Sequence, residues 1–234
     1  MQIIGHRGAS GYKPENTLAS FQSAIAQGVD MIELDVCALP SGQVVVMHDD
    51  TVNRTTNGDG AIATYEYADL QKLDAGNGQH VPLLIEVLDL IHKRVPINIE
   101  LKRGNNIAVL VSEIIDYYVT QKTWSRSLFV VSSFDHKILR EFAALQPDVR
   151  LGVLFRDAPT RYWAASNEHT VFSANMDAAH ITRDNVLQAH RRGFKVYAYT
   201  VNSKKQARHL RAMKVDGIFT NYPDKLASIA TLSA

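Results

Sequence analysis

The sequence predicts an α/β protein whose fold is a (β/α)8 TIM barrel, and three observations lead to this prediction. Short runs of β-forming residues alternate with amphipathic helical patterns, which gives eight strand–helix units along the chain. The 234 residues are sufficient for one such barrel. No linker, low-complexity tract or sequence repeat divides the chain, so we predict a single domain over residues 1–234. A doubly wound open sheet is the competing fold.

Each predicted unit is a strand followed by a helix. The strands are expected at residues 2–6, 31–36, 97–102, 128–132, 150–154, 178–181, 195–200 and 217–221. The helices are expected near residues 17–27, 83–92, 106–120, 135–145, 160–166, 183–192, 203–213 and 224–229. The strand at 178–181 is the weakest of the set, and without it the open sheet becomes the better prediction.

Local signals explain where these helices begin and which face they bury. Asn16 or Thr17 is a suitable cap for the first helix, and Gly28 is suited to end it in a left-handed conformation. The helix at 106–120 carries its apolar residues on one face, as expected for packing against a sheet. These residues are Ile107, Leu110, Val111, Ile114, Ile115 and Tyr118.

An excursion follows the second strand. The Pro-Ser-Gly sequence at 40–42 predicts a hairpin turn that leads into a short strand at 44–48. From about residue 49 to 80 the periodic pattern weakens, and one short helix is predicted near 67–73. We therefore predict a small insertion after the second strand, at about 49–80, that serves as a functional loop region.

The composition excludes several classes of partner. The formal net charge is +1, so no global field attracts nucleic acid, and any phosphate must be bound by local groups. No apolar run is long enough to span a bilayer, and we expect no signal peptide because only five residues precede His6. A single cysteine, Cys37, rules out an internal disulfide framework and suits a reducing compartment. We therefore expect a cytoplasmic protein that acts on a small molecule.

Charged residues interrupt strands that should otherwise be apolar on both faces. Glu33 and Asp35 lie two residues apart on the second strand, so their carboxylates point the same way. Glu100 and Lys102 repeat this arrangement on the next barrel strand. All four lie near C-terminal strand ends, where TIM-barrel active sites form. Either pair alone is equally well explained as an internal ion pair, but three carboxylates on adjacent strands predict a bound cation because they repel one another.

The type of ligand indicates the type of metal. Three carboxylates without Cys or His at ligand spacing favour a hard ion over zinc. Flexible carboxylate coordination accepts either of two such ions. We therefore predict one divalent cation, Mg²⁺ or Ca²⁺, held by Glu33, Asp35 and Glu100.

Two histidines are placed to act as an acid and a base. His6 ends the first strand, and His48 ends the hairpin, which returns over the same mouth of the barrel. Imidazole titrates near neutral pH, so we predict that both are catalytic, and the sequence leaves open which is the acid. The other seven histidines fall mostly on helices or loops, where a structural role is the simpler interpretation. Among them His180, at the end of the strand predicted at 178–181, is a weaker candidate for substrate contact.

Three further residues are predicted to bind substrate. Arg7 offers a bidentate guanidinium fork to a phosphate, and Lys102 offers a point charge. Tyr199 lies at the mouth of the seventh strand and is predicted to form a wall of the pocket.

These motifs occur together in the order of a known family. They are His6-Arg7-Gly8 with Pro14-Glu15-Asn16-Thr17, Glu33-Leu34-Asp35, His48-Asp49, Glu100-Leu101-Lys102, Tyr199-Thr200-Val201-Asn202 and Thr220-Asn221-Tyr222-Pro223-Asp224. Together they resemble the glycerophosphodiester phosphodiesterase family. Each motif is short, but the ordered set from the first strand to the last is highly specific.

The resemblance implies a TIM-barrel hydrolase with a small insertion after the second strand. Such an enzyme uses a divalent cation to cleave deacylated phospholipids, such as glycerophosphocholine or glycerophosphoethanolamine, to sn-glycerol 3-phosphate and an alcohol. This activity implies a place in lipid and glycerol metabolism. By matching motif, the metal ligands would be Glu33, Asp35 and Glu100, the acid–base pair His6 and His48, and the phosphate contacts Arg7 and Lys102.

Two features depart from the family pattern. Tyr199 stands where the family often has tryptophan, which keeps an aromatic wall but alters its shape. The loop at 76–82 is short where relatives often carry a longer segment rich in aromatic residues. Both differences bear on the preference for a head group.

Three other functions fit part of the sequence. A phospholipase of the lyase type would stop at a cyclic phosphate, but we expect such enzymes to be secreted, disulfide-bonded chains with an apolar membrane-facing loop. A metal-dependent aldolase or other sugar-phosphate barrel enzyme explains the carboxylates but not the paired histidines. A non-catalytic phosphodiester-binding barrel predicts binding without turnover, although every expected catalytic side chain is present.

Overall fold

The structure is a computed structural model that describes residues 1–156 and 171–230. Its strands are β1 (Gln2–His6), β2 (Met31–Ala38), β3 (Val44–Val46), β4 (Ile97–Arg103), β5 (Phe129–Ser133), β6 (Arg150–Phe155), β7 (Val171–Asp177), β8 (Lys195–Tyr199) and β9 (Gly217–Thr220). Its helices are α1 (Leu18–Ala26), α2 (Tyr67–Leu70), α3 (Leu84–Ile91), α4 (Ile107–Gln121), α5 (His136–Leu145), α6 (Arg183–Arg191), α7 (Lys204–Ala212) and α8 (Pro223–Ala230). None of these helices is long and apolar enough to cross a bilayer.

Eight parallel strands among the described residues close into a barrel. They follow the order β1, β9, β8, β7, β6, β5, β4, β2, and β1 pairs again with β2. The short strand β3 pairs antiparallel with the end of β2, outside the ring. Because the ring of parallel strands is closed, the predicted (β/α)8 TIM barrel is confirmed and the open sheet is excluded.

One strand was predicted in the wrong place. The strand is β7, Val171–Asp177, whereas residues 178–181 form a turn that leads towards α6. Ala174 and Met176 pack against the helices, so the alternate residues Ser173 and Asn175 face the barrel interior, where both are fully buried. These polar residues interrupt the apolar run that a barrel strand usually shows.

This shift also changes two related predictions. His180 lies exposed on the turn after β7 and not at a strand end, so it loses the position that made it a candidate for substrate contact. The helix predicted at 160–166 lies outside the described residues.

Side-chain caps start the helices close to the predicted positions. The Thr17 hydroxyl accepts a hydrogen bond from Ser20 N–H at the start of α1, and Ser203 does the same for Gln206 at α7. Thr17 is therefore the cap of α1. This leaves the other predicted cap, Asn16, available for a different contact.

The apolar residues form one core outside the barrel and a smaller one inside it. The outer core lies between strands and helices and includes Phe21, Leu88, Ile115 and Phe142, each fully buried. The inner core consists of Ile4, Met31, Val130, Tyr197 and Phe219. Several of these residues precede the charged residues on the same strands, so apolar side chains fill the N-terminal part of the barrel. The charged groups are thereby confined to the C-terminal end.

The segment between β3 and α3 packs with β3 and the end of β2 around a separate small core. Its buried members are Cys37, Leu39, Val45, Met47, Val52, Ile62, Leu70, Ala75 and Val81. The Met47 N–H donates to the carbonyl oxygen of Asp35 at 3.0 Å. This bond fixes the following residues, His48 and Asp49, beside the C-terminal end of β2.

The opposite end of the barrel contains a carboxylate that stabilises the fold. Asp216 accepts hydrogen bonds from Val196 N–H at 2.8 Å and from His190 Nε2 at 2.7 Å, and Lys195 Nζ lies 3.1 Å away. Burial opposes ionisation, yet these donors together hold the pKa of Asp216 below its ordinary value. The carboxylate therefore stabilises the fold at neutral pH, and this contribution is lost as the pH falls through the folded-state pKa.

Replacing this carboxylate should change stability in a pH-dependent way. We expect Asp216→Asn to lower the free energy of unfolding at pH 7 by about 2 kcal/mol, the size of a lost hydrogen bond to a charged group. The difference from wild type should shrink as the pH falls below about 4, because the carboxyl group is then protonated first in the unfolded chain and, at still lower pH, in the folded protein. Melting temperatures of both proteins, recorded from pH 7 to pH 3, measure this difference in stability. Asp148→Asn removes an exposed carboxylate and is the matched control, and a difference that did not change with pH would contradict this prediction.

Candidate active site

The loop after β1 turns sharply towards the end of β2. Arg7 and Gly8 both have left-handed backbones, with φ of 55° and 84°. This turn directs Arg7 N–H to Glu33 Oε2 at 2.8 Å. A Cβ at Gly8 would lie 2.6 Å from the carbonyl carbon of Ser20. Glycine is therefore required here both by the backbone conformation and by the close approach of α1.

Three carboxylates meet at the C-terminal end of the barrel. Glu33 and Asp35 come from β2, and Glu100 lies on β4 directly opposite Asp35. One oxygen from each group can be chosen so that all three lie within 4.8 Å of one another. The residues are only 3%, 1% and 8% exposed, so water screens their repulsion poorly.

Burial and mutual repulsion govern the protonation of this cluster. Burial, followed by the charges of Asp35 and Glu100, raises the pKa of Glu33 well above its ordinary value. Burial and Asp35 likewise raise the pKa of Glu100 to about 7. Two cations offset part of this repulsion, since Lys102 Nζ lies 2.7 Å from Glu100 and Arg7 Nε lies 3.2 Å from Asp35.

The donor set of the cluster fits a divalent cation. Its three side chains, Glu33, Asp35 and Glu100, present oxygen ligands alone, which is typical of a hard ion. A bound cation would replace the repulsion among them with attraction, and so remove the cause of the raised pKa values. The buried acidic triad can therefore bind a metal ion.

The two predicted histidines are each held through Nδ1. His6 Nδ1 lies 2.8 Å from Asn221 Oδ1, so it carries the proton and Nε2 is left as an acceptor. Burial and the neighbouring charge of Arg7 lower the pKa of His6 to about 4, which keeps its ring neutral at pH 7. His48 Nδ1 lies 2.6 Å from Asp49 Oδ1. Both rings are therefore oriented by a specific partner.

A pocket of about 610 Å³ connects these groups. Seven predicted site residues line it, namely His6, Arg7, Glu33, His48, Glu100, Lys102 and Tyr199. The eighth, Asp35, belongs to the buried carboxylate cluster. The structure thus brings all eight side chains to the same end of the barrel.

An aromatic wall closes one side of the pocket. Tyr199 Oη donates to the carbonyl oxygen of Phe155 at 2.6 Å, and its ring meets Phe134 edge-on at 5.8 Å. The Arg156 guanidinium lies 4.6 Å from the centre of the Phe134 ring. Phe134 and Arg156 also line a second cavity, of about 940 Å³, that adjoins the first.

Several residues of the site were not predicted from the sequence. Asn16, predicted only as a possible helix cap, donates from Nδ2 to Asp35 Oδ2 at 2.9 Å. Asn221, which the sequence marks only as part of a family motif, orients His6. Phe134 and Arg156 follow directly after β5 and β6. Their position after barrel strands was a usable signal, because TIM-barrel sites are built from the residues that follow each strand.

A network of charges joins the insertion to the loop after β1. Arg54 Nε and Nη2 donate to the two oxygens of Asp49 at 2.6 and 3.0 Å. Its Nη1 and Nη2 donate to the two oxygens of Glu15 at 2.9 and 2.8 Å. Glu15 in turn accepts a 2.7 Å hydrogen bond from Arg7 Nη1. Burial opposes ionisation of Glu15, yet the bonds from Arg54 and Arg7 hold its pKa at about 2.

Comparison with known proteins agrees with this geometry. Residues 6–225 match the glycerophosphoryl diester phosphodiesterase family. The chain belongs to this family. A glycerophosphodiester phosphodiesterase from Bacillus altitudinis is 36% identical, with 97% of both chains covered. The protein YhdW of Bacillus subtilis is 39% identical, with 96% of both chains covered.

Solved structures of the family share the fold. A phosphodiesterase from Oleispira antarctica, determined with the product sn-glycerol-3-phosphate, has a TM-score of 0.89 and 31% identity over 97% of this chain and 96% of its own. A glycerophosphodiester phosphodiesterase from Agrobacterium tumefaciens has a TM-score of 0.81 and 27% identity over 97% of this chain and 99% of its own. The predicted family and the predicted enzyme class, a phosphodiesterase, are confirmed.

Neutralising one carboxylate of the triad should stabilise the metal-free phosphodiesterase and weaken its binding of metal. Glu33→Gln keeps an oxygen that can accept the Arg7 N–H but removes one of three repelling charges. Because the folded-state pKa of Glu33 is raised, wild-type stability falls as the pH rises through and above about 5. In metal-free protein at about pH 8, the variant should melt roughly 2–4 °C higher, equivalent to about 1 kcal/mol.

Added Mg²⁺ or Ca²⁺ supplies the second half of this test. Either ion that binds should raise the melting temperature of wild type by mass action, but not that of Glu33→Gln. Glu113→Gln removes an exposed carboxylate on α4 and is the matched control, with a wild-type response to metal. An equal metal-induced shift in Glu33→Gln and wild type would show that the triad is not the binding site.

Proposed function

We propose that this phosphodiesterase hydrolyses glycerophosphodiesters to sn-glycerol 3-phosphate and an alcohol in the pocket at the C-terminal end of the barrel. One observation carries the proposal. Two oriented histidines, the cations Arg7 and Lys102, and the carboxylates Glu33 and Glu100 line one cavity, and Asp35 completes the buried triad beside it. Together these groups supply what phosphodiester hydrolysis needs. The product bound to the Oleispira antarctica relative supports the choice of substrate.

The carboxylate triad is the proposed metal site. Glu33, Asp35 and Glu100 would hold one divalent cation, and its oxygen-only donors favour Mg²⁺ or Ca²⁺. Such an ion neutralises charge that develops on a transferring phosphoryl group. Asn16, which donates to Asp35, would keep that carboxylate in its ligating orientation.

The two histidines are proposed to move the protons of the reaction. His6 is neutral and presents Nε2 as an acceptor, so we assign to it the removal of a proton from the attacking hydroxyl or water. His48, held by Asp49, would then protonate the leaving alcohol through Nε2. This order gives the two imidazoles distinct roles that arise from distinct surroundings.

The remaining site residues are proposed to hold the substrate. Arg7 and Lys102 are the two pocket cations that also lie against the carboxylate triad, and they would contact the phosphate. Tyr199 and Phe134 would form the apolar wall against the carbon atoms of the glycerol. The adjoining cavity would receive the leaving alcohol, since both cavities share Phe134 and Arg156.

The wider context is proposed on the same basis. Residues 1–234 would act as one domain, with the segment at about 49–80 forming part of the mouth. The substrates would be deacylated phospholipids, which places the enzyme in lipid and glycerol metabolism. The buried free thiol of Cys37 fits a reducing compartment such as the cytoplasm.

The activity can be measured as release of glycerol 3-phosphate from glycerophosphocholine and glycerophosphoethanolamine. We expect turnover with Mg²⁺ or Ca²⁺ and none in the presence of a chelator. In Glu33→Ala, turnover should fall at least about 100-fold. Phosphorus NMR of the products distinguishes direct hydrolysis from formation of a cyclic phosphate, the product expected of a lyase. No turnover on either substrate with either metal would contradict the proposed substrate class.

The histidine assignment predicts a second result. His6→Ala and His48→Ala should each lower kcat by roughly 10²- to 10⁴-fold, because each loses a proton transfer in the transition state. His209→Ala, on the exposed face of α7, should retain wild-type kcat. Near-native kcat in both site variants would show that the acid–base assignment is wrong.

A further inference from the structure

We infer that Arg54 is a positioning residue for catalysis, which holds the Asp49–His48 pair of the insertion against the loop after β1. This inference rests on the proposed function, because it takes His48 to be a catalytic group. Arg54 itself does not line the catalytic pocket. Its effect would reach the substrate through Asp49 and His48.

The guanidinium group of Arg54 bridges two carboxylates from different segments. Arg54 makes four hydrogen bonds, two to each of two carboxylates, at 2.6–3.0 Å. Asp49 belongs to the insertion, and Glu15 belongs to the loop after β1, 39 positions before Arg54. A planar fork that serves two carboxylates fixes their relative position, which a single lysine charge does not do.

Asp49 links Arg54 to the ring of His48. Asp49 Oδ1 accepts a hydrogen bond from Arg54 Nη2 at 3.0 Å and another from His48 Nδ1 at 2.6 Å. A hydrogen bond from Arg54 is the largest influence that holds the pKa of Asp49 below its ordinary value, so Asp49 is ionised throughout the neutral range. An ionised Asp49 accepts a hydrogen bond from His48 Nδ1–H. This bond orients the ring so that Nε2 points away from Asp49, into the pocket.

At the other end of the network, Glu15 connects Arg54 to the loop after β1. Glu15 is bonded to Arg7 Nη1 at 2.7 Å, and Arg7 N–H is bonded to Glu33. The insertion is therefore tied, through Arg54 and Glu15, to the strand end that carries His6. Since proton transfer depends strongly on distances, a connection between these two segments controls whether both histidines reach one phosphate.

The structure also explains why this role needs arginine. Asp49 and Glu15 are two anions that approach the same point, with side chains 25% and 21% exposed. Without a cation between them they would repel each other, and the insertion would move away from the loop after β1. We therefore expect loss of Arg54 to displace His48 while leaving the barrel folded.

The experiment compares Arg54→Ala with Arg126→Ala, both measured as glycerol 3-phosphate release at saturating metal. Arg126 forms a similar surface ion pair with Asp116 at 2.6 Å, far along the chain from the site. Arg54→Ala should lose at least about tenfold in kcat with KM changed less than about threefold, because it disturbs a proton transfer more than substrate binding. Arg126→Ala should retain wild-type values.

A double-mutant cycle shows whether Arg54 acts through His48. In a His48→Ala background, Arg54→Ala should lower kcat further by less than about twofold, because the group it positions is already gone. Arg54→Lys, which keeps the charge but serves only one carboxylate well, should recover part of the loss and guards against misfolding of the alanine variant. Melting temperatures of all variants are measured alongside.

The outcomes separate this inference from the proposed function. If His48→Ala is inactive while Arg54→Ala keeps a kcat within about threefold of wild type, Arg54 is not a positioning residue. If Arg54→Ala lowers kcat by the same factor in wild type and in His48→Ala, its effect does not pass through His48, and the inference is also overturned. If His48→Ala itself remains active, the acid–base assignment fails instead.

Discussion

The confinement of three carboxylates at the ends of two adjacent strands is the constraint on which the rest of the site depends. Parallel pairing of β2 and β4 places Asp35 directly opposite Glu100, and the strand period places Glu33 on the same face. With almost no exposure to water, these charges need positive partners close by. Arg7 and Lys102 supply part of this compensation, and the three carboxylates lie close enough together to bind a cation.

The loops that surround this cluster are shaped to deliver those partners. The left-handed turn at Arg7 and Gly8 aims both a backbone N–H and a guanidinium at the carboxylates. Thr17 takes over the cap of α1, so that Asn16 can donate to Asp35. Local backbone geometry and helix capping therefore serve the electrostatics of the site as well as the fold.

Most of the fold could be predicted from the sequence, because nearly every barrel strand is a short run of β-forming residues followed by an amphipathic helical pattern. The charged residues at strand ends were equally visible, since a carboxylate in a buried strand is rare without a partner. The strand β7 was misplaced because Ser173 and Asn175, inside the barrel, resemble loop residues in sequence. Phe134 and Arg156 follow barrel strands, which was a usable signal, but only the folded barrel shows that Phe134 meets both Tyr199 and Arg156.

The barrel, its family and the eight side chains at its mouth could all be inferred from the order of residues along the chain. This was possible because parallel strands all end on one face, so position along a strand translates directly into position in space. The partners that orient the histidines, and the contacts that hold the insertion, became visible only in the folded protein. Asn221 reaches His6 across 215 positions, and Arg54 reaches Glu15 across 39. Hydrogen bonds between such distant segments depend on distances of a few tenths of an ångström, which no local pattern of residues encodes.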